Sequence, residues 1–99
     1  MIQRRFVRET VLQAVYAYLQ SGESVSHIIS TFLKENLKED AEALRFGERL
    51  FVLTLEQTDD WDAIIEQHIK NWEIGRLALI DKIILYIALS ELTNFPDIP

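Results

Sequence analysis

An all-α fold is what the sequence predicts, and three observations carry it. Apolar residues recur at helical spacing in five separate stretches. No run alternates with the period of two that a strand requires. Breaker and capping residues fall between the stretches, with a single glycine, Gly47, inside one. Connections of a few residues fit antiparallel helical neighbours, so the expected architecture is a helical bundle of about five helices.

The first helix is expected over residues 3–20. Phe6, Val7, Val11, Ala14, Val15 and Tyr18 form an apolar face, and Ser21-Gly22 stops the helix. Arg5, Glu9, Gln13, Tyr16 and Gln20 form its polar stripe. Ser24 caps a second helix that runs to about Asn36 on Val25, Ile28, Ile29, Phe32 and Leu33. Residues 37–40 are expected to be a linker, with Asp40 capping a third helix over 41–57. Gly47 costs that helix about 1 kcal/mol relative to Ala, which points to close approach of a neighbour or to a bend. Thr58-Asp59-Asp60 opens a fourth helix carried by Trp61, Ile64, Ile65, His68, Ile69 and Trp72 and ended by 71–75.

The fifth helix, Arg76 to Leu92, is apolar on almost every side. Arg76, Lys82, Tyr86 and Ser90 fall on one narrow polar stripe, while Asp81 and Glu91 fall among the apolar positions. Such a helix is either buried in a bundle or crosses a membrane. Asp81, Lys82 and Glu91 leave too short an uncharged run to span, so it is expected to be the central helix that the others pack around. Asn94-Phe95-Pro96 closes it.

The chain has 99 residues, 48% hydrophobic and 26% charged, which is one small globular domain rather than a disordered segment. A net charge of −6 argues against a general nucleic-acid coating protein and leaves room only for a local basic patch. No cysteine is present, so disulfide and thiol chemistry are excluded. The start, MIQRRFVRET, lacks the apolar core of an export signal, and a cytoplasmic location is expected.

No catalytic set, metal site or cofactor motif is expected. His27 and His68 lie on different helices without ligand spacing, and His68 sits on an apolar face as a core histidine would. There is no phosphate-binding glycine loop and no nucleophile elbow. Asp81 and Glu91 are ten positions apart on one helix, about 15 Å of rise, too far for an acid–base pair. Glu91 reads as a partly buried, paired acid. Asp81 reads equally as that or as the mark of a partner surface.

Arg4, Arg5 and Arg8 place three of the ten basic residues in the first turns of one helix. Positive charge there opposes the helix dipole by a few tenths of a kcal/mol. Two readings stand: a solvated end with an Arg5–Glu9 pair, or a small phosphate-contacting patch on an acidic domain. Tyr16, on the polar stripe of the same helix, has the chemistry to stack on a base or anchor a protein contact.

Two segments together resemble the NusB family of bacterial transcription antitermination factors. The N-terminal segment offers Arg4, Arg5, Arg8-Glu9 and Gln13-Ala14-Val15-Tyr16. The C-terminal segment offers Asp81-Lys82, Ile84-Leu85, Ala88-Leu89-Ser90-Glu91-Leu92 and Asp97-Ile98-Pro99. Tyr86 and Ser90 depart from the family pattern, which has Arg and Tyr at those positions. The resemblance implies an all-helical, non-enzymatic protein of two subdomains, here 1–57 and the beginning of a second at 58–99. It implies binding to boxA-type RNA together with ribosomal protein S10 (NusE), within the transcription elongation complex and in ribosomal RNA transcription. Arg4, Arg5 and Arg8 are the implied RNA contacts; Tyr16 and Asp81 are the implied partner contacts.

The family pattern continues past the Asp-x-Pro, so a shortened C-terminus is expected here, with one side of helix 76–92 left bare. Self-association through that helix is the expected consequence, since each bare Leu or Ile forgoes about 1.5–3 kcal/mol of burial. Two other functions fit the sequence: the accessory RNA-binding domain of an rRNA cytosine methyltransferase, and a purely structural helical interaction domain.

Overall fold

The computed structural model describes residues 1–68 and 78–96. Those residues form five helices, with no strand among them. Helix α1 is Arg4–Ser21. Helix α2 covers 25–37 without a break, its middle turn Ile29–Leu33 being π-helical. Helices α3, α4 and α5 are Ala41–Glu56, Thr58–His68 and Leu79–Asn94. None of the described helices is long and apolar enough to cross a membrane. The chain divides into two compact units, Met1–Val52 and Leu53–Pro99.

The first unit is built on α1, α2 and most of α3. The expected stops and starts are realised in hydrogen bonds. Gly22 takes the left-handed conformation (φ 72°) and donates its N–H to the Tyr18 carbonyl. The Ser24 hydroxyl accepts the His27 N–H at 3.1 Å, and Asp40 Oδ1 accepts the N–H groups of Glu42 and Ala43 at 3.1 and 3.2 Å. The core joins Val7, Val11, Ala14 and Val15 of α1 to Ile28, Leu33 and Leu37 of α2 and to Ala43, Phe46, Leu50 and Phe51 of α3. Gly47 sits where α3 meets both other helices. A β-carbon there would lie 2.8 Å from Leu37 Cδ1 and 3.4 Å from Val7 Cγ1, so close approach is its role.

Three expectations for this unit are corrected. Phe6, assigned to the apolar face of α1, is 44% exposed; the buried stripe is Val7, Thr10, Val11, Ala14 and Val15. Thr10 is tolerated inside because its hydroxyl bonds to the Phe6 carbonyl at 2.8 Å. Leu37, assigned to a linker, ends α2 fully buried. The apolar register of α2 is also not a plain α pattern. Ser30 and Thr31 both bond back to the His27 carbonyl, and the Lys34 N–H reaches the Ile29 carbonyl five residues away. The wider turn puts Ile28 and Leu33 on one face and leaves Ile29 and Phe32 half-buried.

The second unit centres on Trp61 and Ile65 of α4 with Tyr86 of α5, and Ile64, Leu85 and Leu89 pack against them. The Trp61 indole donates to the Thr54 carbonyl at 3.0 Å, satisfying an acceptor in the last turn of α3. Tyr86 donates to Asp62 Oδ1. Asn94 donates to Gln57 Oε1 at 2.9 Å and to Ser90 Oγ at 3.3 Å.

Here two residues of the expected polar stripe of the last helix, Tyr86 and Ser90, turn out to lie on its buried side. Tyr86 is 4% exposed and Ser90 is fully buried, while Ile80, Ile84 and Leu92 lie at 43, 50 and 75% exposure. Tyr86 and Ser90 can face inward because their hydrogen bonds are met within the unit. Helix α5 is therefore not buried all round. His68, expected in the core, is exposed at the described end of α4. The expected end of that helix at 71–75, the residues Ile69, Trp72, Arg76 and Leu77, and the closing Asp97-Ile98-Pro99 lie outside the described residues.

Candidate nucleic-acid interface

The first turns of α1 carry the arginines, and three contacts fix them. Gln3 stands at the N-cap with no side-chain hydrogen bond, and its carbonyl accepts the N–H groups of Phe6 and Val7 at 3.0 and 3.2 Å. The Ile2 N–H is held by Asp40 Oδ2 at 3.0 Å, which pins the N-terminal arm to the start of α3. The Arg4 guanidinium lies 4.1 Å from the centroid of the Phe46 ring. A planar cation over an aromatic face is attracted by its quadrupole and loses little freedom on binding further groups.

The three arginines differ in setting. Arg4 is half-buried on its aromatic shelf. Arg5 points into solvent, its side chain 86% exposed, with Nε 3.3 Å from Glu9 Oε1. That exposed pair contributes well under about 1 kcal/mol and yields readily to a stronger anion. Arg8 is half-buried, one turn beyond Arg4 on the same side of the helix. All three fall within about a quarter-turn of α1. No acidic residue occupies the first turn of α1 to offset them.

A cleft of about 340 Å³ opens beside this patch, lined by Met1, Ile2, Gln3, Arg4, Val7, Asp40, Glu42 and Ala43. Its two acids make it a poor anion receptor. Asp40 is committed to structure: the Ile2 N–H first, then the Ala43 and Glu42 N–H groups and the N-terminal ammonium, hold its carboxyl below the ordinary 3.8. What the arrangement offers an anion is the outward guanidinium surface, a form suited to phosphates in a flexible strand.

The two expected partner-contact residues lie one in each unit. Tyr16, on α1, is 43% exposed, and Leu19 one turn on is 44% exposed, so an aromatic and an aliphatic side chain share that surface. Asp81 is exposed in the first turn of α5, where the Ala78 N-cap supplies no side-chain hydrogen bond. A carboxylate suits that helix end. From the next position, the Lys82 ammonium lies 5.7 Å from the centroid of the Tyr86 ring one turn on. His27 pairs with Glu23 at 2.9 Å, and no three potential metal ligands converge among the described residues.

Sequence reasoning missed two members of the basic patch. Asp40 was legible as a cap, but its hold on Ile2, 38 positions away, was not. Phe46 was legible only as a packing residue. An aromatic at the third-helix position nearest an arginine is the one signal that was available.

Comparison with known proteins bears on the whole length of the chain. The NusB family pattern matches residues 5–99. A transcription antitermination protein NusB of Salinibacter ruber is 37% identical over 99 residues, all of this chain and 62% of the relative. Proteins of the same name from Chloroherpeton thalassium and Koribacter versatilis are 32% and 31% identical, across 100% and 97% of this chain and 47% and 66% of theirs. The chain thus spans about half to two thirds of the length of these relatives. No solved structure matches it.

Proposed function

The chain belongs to the NusB family, and from that premise we propose that it is a cytoplasmic, non-enzymatic RNA- and protein-binding factor of transcription antitermination. Its RNA is of the boxA type, and its protein partner is ribosomal protein S10 (NusE), within the elongation complex that transcribes ribosomal RNA. The observation that carries this reading is the patch of Arg4, Arg5 and Arg8, gathered on one side of α1, with Glu9 held only in an exposed pair with Arg5 and with Asp40 occupied by backbone N–H groups. Arg5 and Arg8 supply phosphate contacts, and Arg4, held on Phe46, supplies a planar guanidinium for a phosphate or a base face. Tyr16 with Leu19, and separately Asp81, are exposed residues suited to the protein partner.

The test is RNA affinity against salt, read by fluorescence anisotropy on a labelled boxA RNA with and without S10. Replacing Arg4, Arg5 and Arg8 by Ala is expected to reduce the salt slope by about 2, at about 0.7 per phosphate contact on single-stranded RNA. An unchanged slope and affinity overturns the RNA assignment. Tyr16→Ala and Asp81→Asn are expected to weaken S10 binding by at least about fivefold while leaving RNA binding by the chain alone in place.

A further inference from the structure

We propose that Asp40 is a positioning residue of the RNA site. By holding Ile2 it keeps the arginine-bearing start of α1 wound, so that an acid beside the patch strengthens RNA binding. This rests on the RNA-binding reading above and deepens it.

The start of α1 is poorly supported from within. Gln3 stands at the N-cap without a side-chain hydrogen bond, and no acid lies in the first turn. Arg4, Arg5 and Arg8 instead add positive charge where the helix dipole is already positive. A turn with neither a side-chain cap nor a favourable charge frays readily. Its support comes from elsewhere in the sequence. One residue before the N-cap, Ile2 donates its N–H to Asp40 Oδ2 at 3.0 Å. One residue after it, Arg4 lies on the Phe46 ring. The uncapped position is thus tied down on both sides.

Asp40 has the two acceptors that this needs. Oδ1 takes the Glu42 and Ala43 N–H groups and caps α3, while Oδ2 is left for Ile2. Asparagine caps a helix as well as aspartate does, but it brings one acceptor oxygen instead of two. Charge alone predicts the opposite sign for this residue. Asp40 lines the same cleft as Arg4, so its carboxylate repels a nearby phosphate, and removing it would tighten binding. Order outweighs that repulsion, because a chain whose first turn is frayed must rewind it before the arginines meet one strand. If the turn were wound only a third of the time, binding would be about threefold weaker.

The experiment measures affinity and salt slope of the 99-residue chain for a labelled boxA RNA, at a temperature well below each variant's melt. Asp40→Asn is expected to weaken binding about threefold with the slope unchanged, since the same phosphates are met once the RNA is bound. Amide exchange is expected to quicken at Phe6 and Val7, whose N–H groups bond to the Gln3 carbonyl. Adding Gln3→Ser, which supplies a neutral N-cap, is expected to restore both affinity and protection. Asp40→Ser caps α3 through one hydroxyl and is expected to behave as Asp40→Asn does, which keeps the test open if either variant folds poorly. Tighter or unchanged binding by Asp40→Asn overturns the proposal, as does a lowered slope, unchanged exchange at Phe6 and Val7, or no rescue by Gln3→Ser. If Arg4, Arg5 and Arg8 replaced by Ala lower the slope while Asp40→Asn binds normally, the positioning role alone falls. If those three replacements change neither slope nor affinity, the RNA-binding reading itself falls.

Discussion

The two units solve the same problem, a small helical core, with different chemistry. Residues 1–52 bury an almost wholly aliphatic and aromatic core whose one buried hydroxyl, on Thr10, bonds within its own helix. Residues 53–99 centre on Trp61, Ile65 and Tyr86, with side-chain hydrogen bonds from Trp61 to Thr54, from Tyr86 to Asp62, and from Asn94 to Gln57 and Ser90. Charge separates them as well. The first unit holds seven basic and seven acidic residues, the second three and nine, so the second carries the whole net charge of −6. An acidic protein can therefore present a basic patch, because its surplus acid lies in the other part of the sequence. A whole-chain charge excludes less than it first suggests.

The sharpest way to break this contrast is Trp61→Ala. It removes the largest fully buried side chain among the described residues, together with the donor to the Thr54 carbonyl. A buried Trp→Ala change costs about 3–5 kcal/mol. Amide exchange is expected to show protection lost across the helical residues between 54 and 94 and largely kept from Val7 to Leu50. Uniform loss along the chain would mean that the two cores do not differ in what holds them.

How much of this was legible in the sequence depended on whether the cause was local. Ser24, Asp40 and Gly22 announce helix ends because a cap acts within three or four residues, and all three act as read. Gly47 was legible because a glycine inside a strong helical pattern needs a neighbour to justify it, and Leu37 and Val7 are that neighbour. The π turn of α2 was not, because two hydroxyls competing for the His27 carbonyl shift the register without changing composition. Tyr86 and Ser90 were misleading for a related reason. Residue type says polar, but their partners Asp62 and Asn94 are fixed only by tertiary structure or by a helix turn whose orientation the pattern leaves open. At the basic patch, the arginines could be named from sequence. The Phe46 shelf and the Asp40 clasp that orient them could not.

A smaller effect tests the polar ties of the second unit directly. Tyr86→Phe keeps the ring and removes the hydrogen bond to Asp62, for an expected loss of about 1 kcal/mol at neutral pH. Burial first, then the Asp62 hydrogen bond and the charges of Asp62 and Asp59, push the Tyr86 phenol well above its ordinary 10.0. The folded state therefore keeps a proton that the unfolded state gives up. That contribution is complete below pH 10 and is lost as pH rises above it. Urea titrations are expected to show the variant's deficit shrinking above pH 10, and a deficit constant with pH would show that the phenol is not protected.

The smallest effect on stability is expected on the outward side of α5, and there the contrast between the units becomes one of surfaces. Ile80, Ile84, Ala88 and Leu92 recur every four residues and face solvent. A ridge of that spacing packs into the matching groove of a second copy at a crossing angle near −50°, with Ala88 small enough to let the helices approach. Such a crossing is short and falls below the roughly 800 Å² per partner of a stable interface, so the self-association it supports is weak and concentration-dependent. Replacing Ile84 and Leu92 by Glu is expected to change unfolding stability by no more than about 0.5 kcal/mol each. The same pair is expected to abolish the rise of sedimentation coefficient with concentration in the unsubstituted chain. A flat sedimentation coefficient before any substitution would reject pairing through α5. The apolar row would then be a surface that this chain leaves to solvent, and the first unit's arginines would be the better guide to where partners bind.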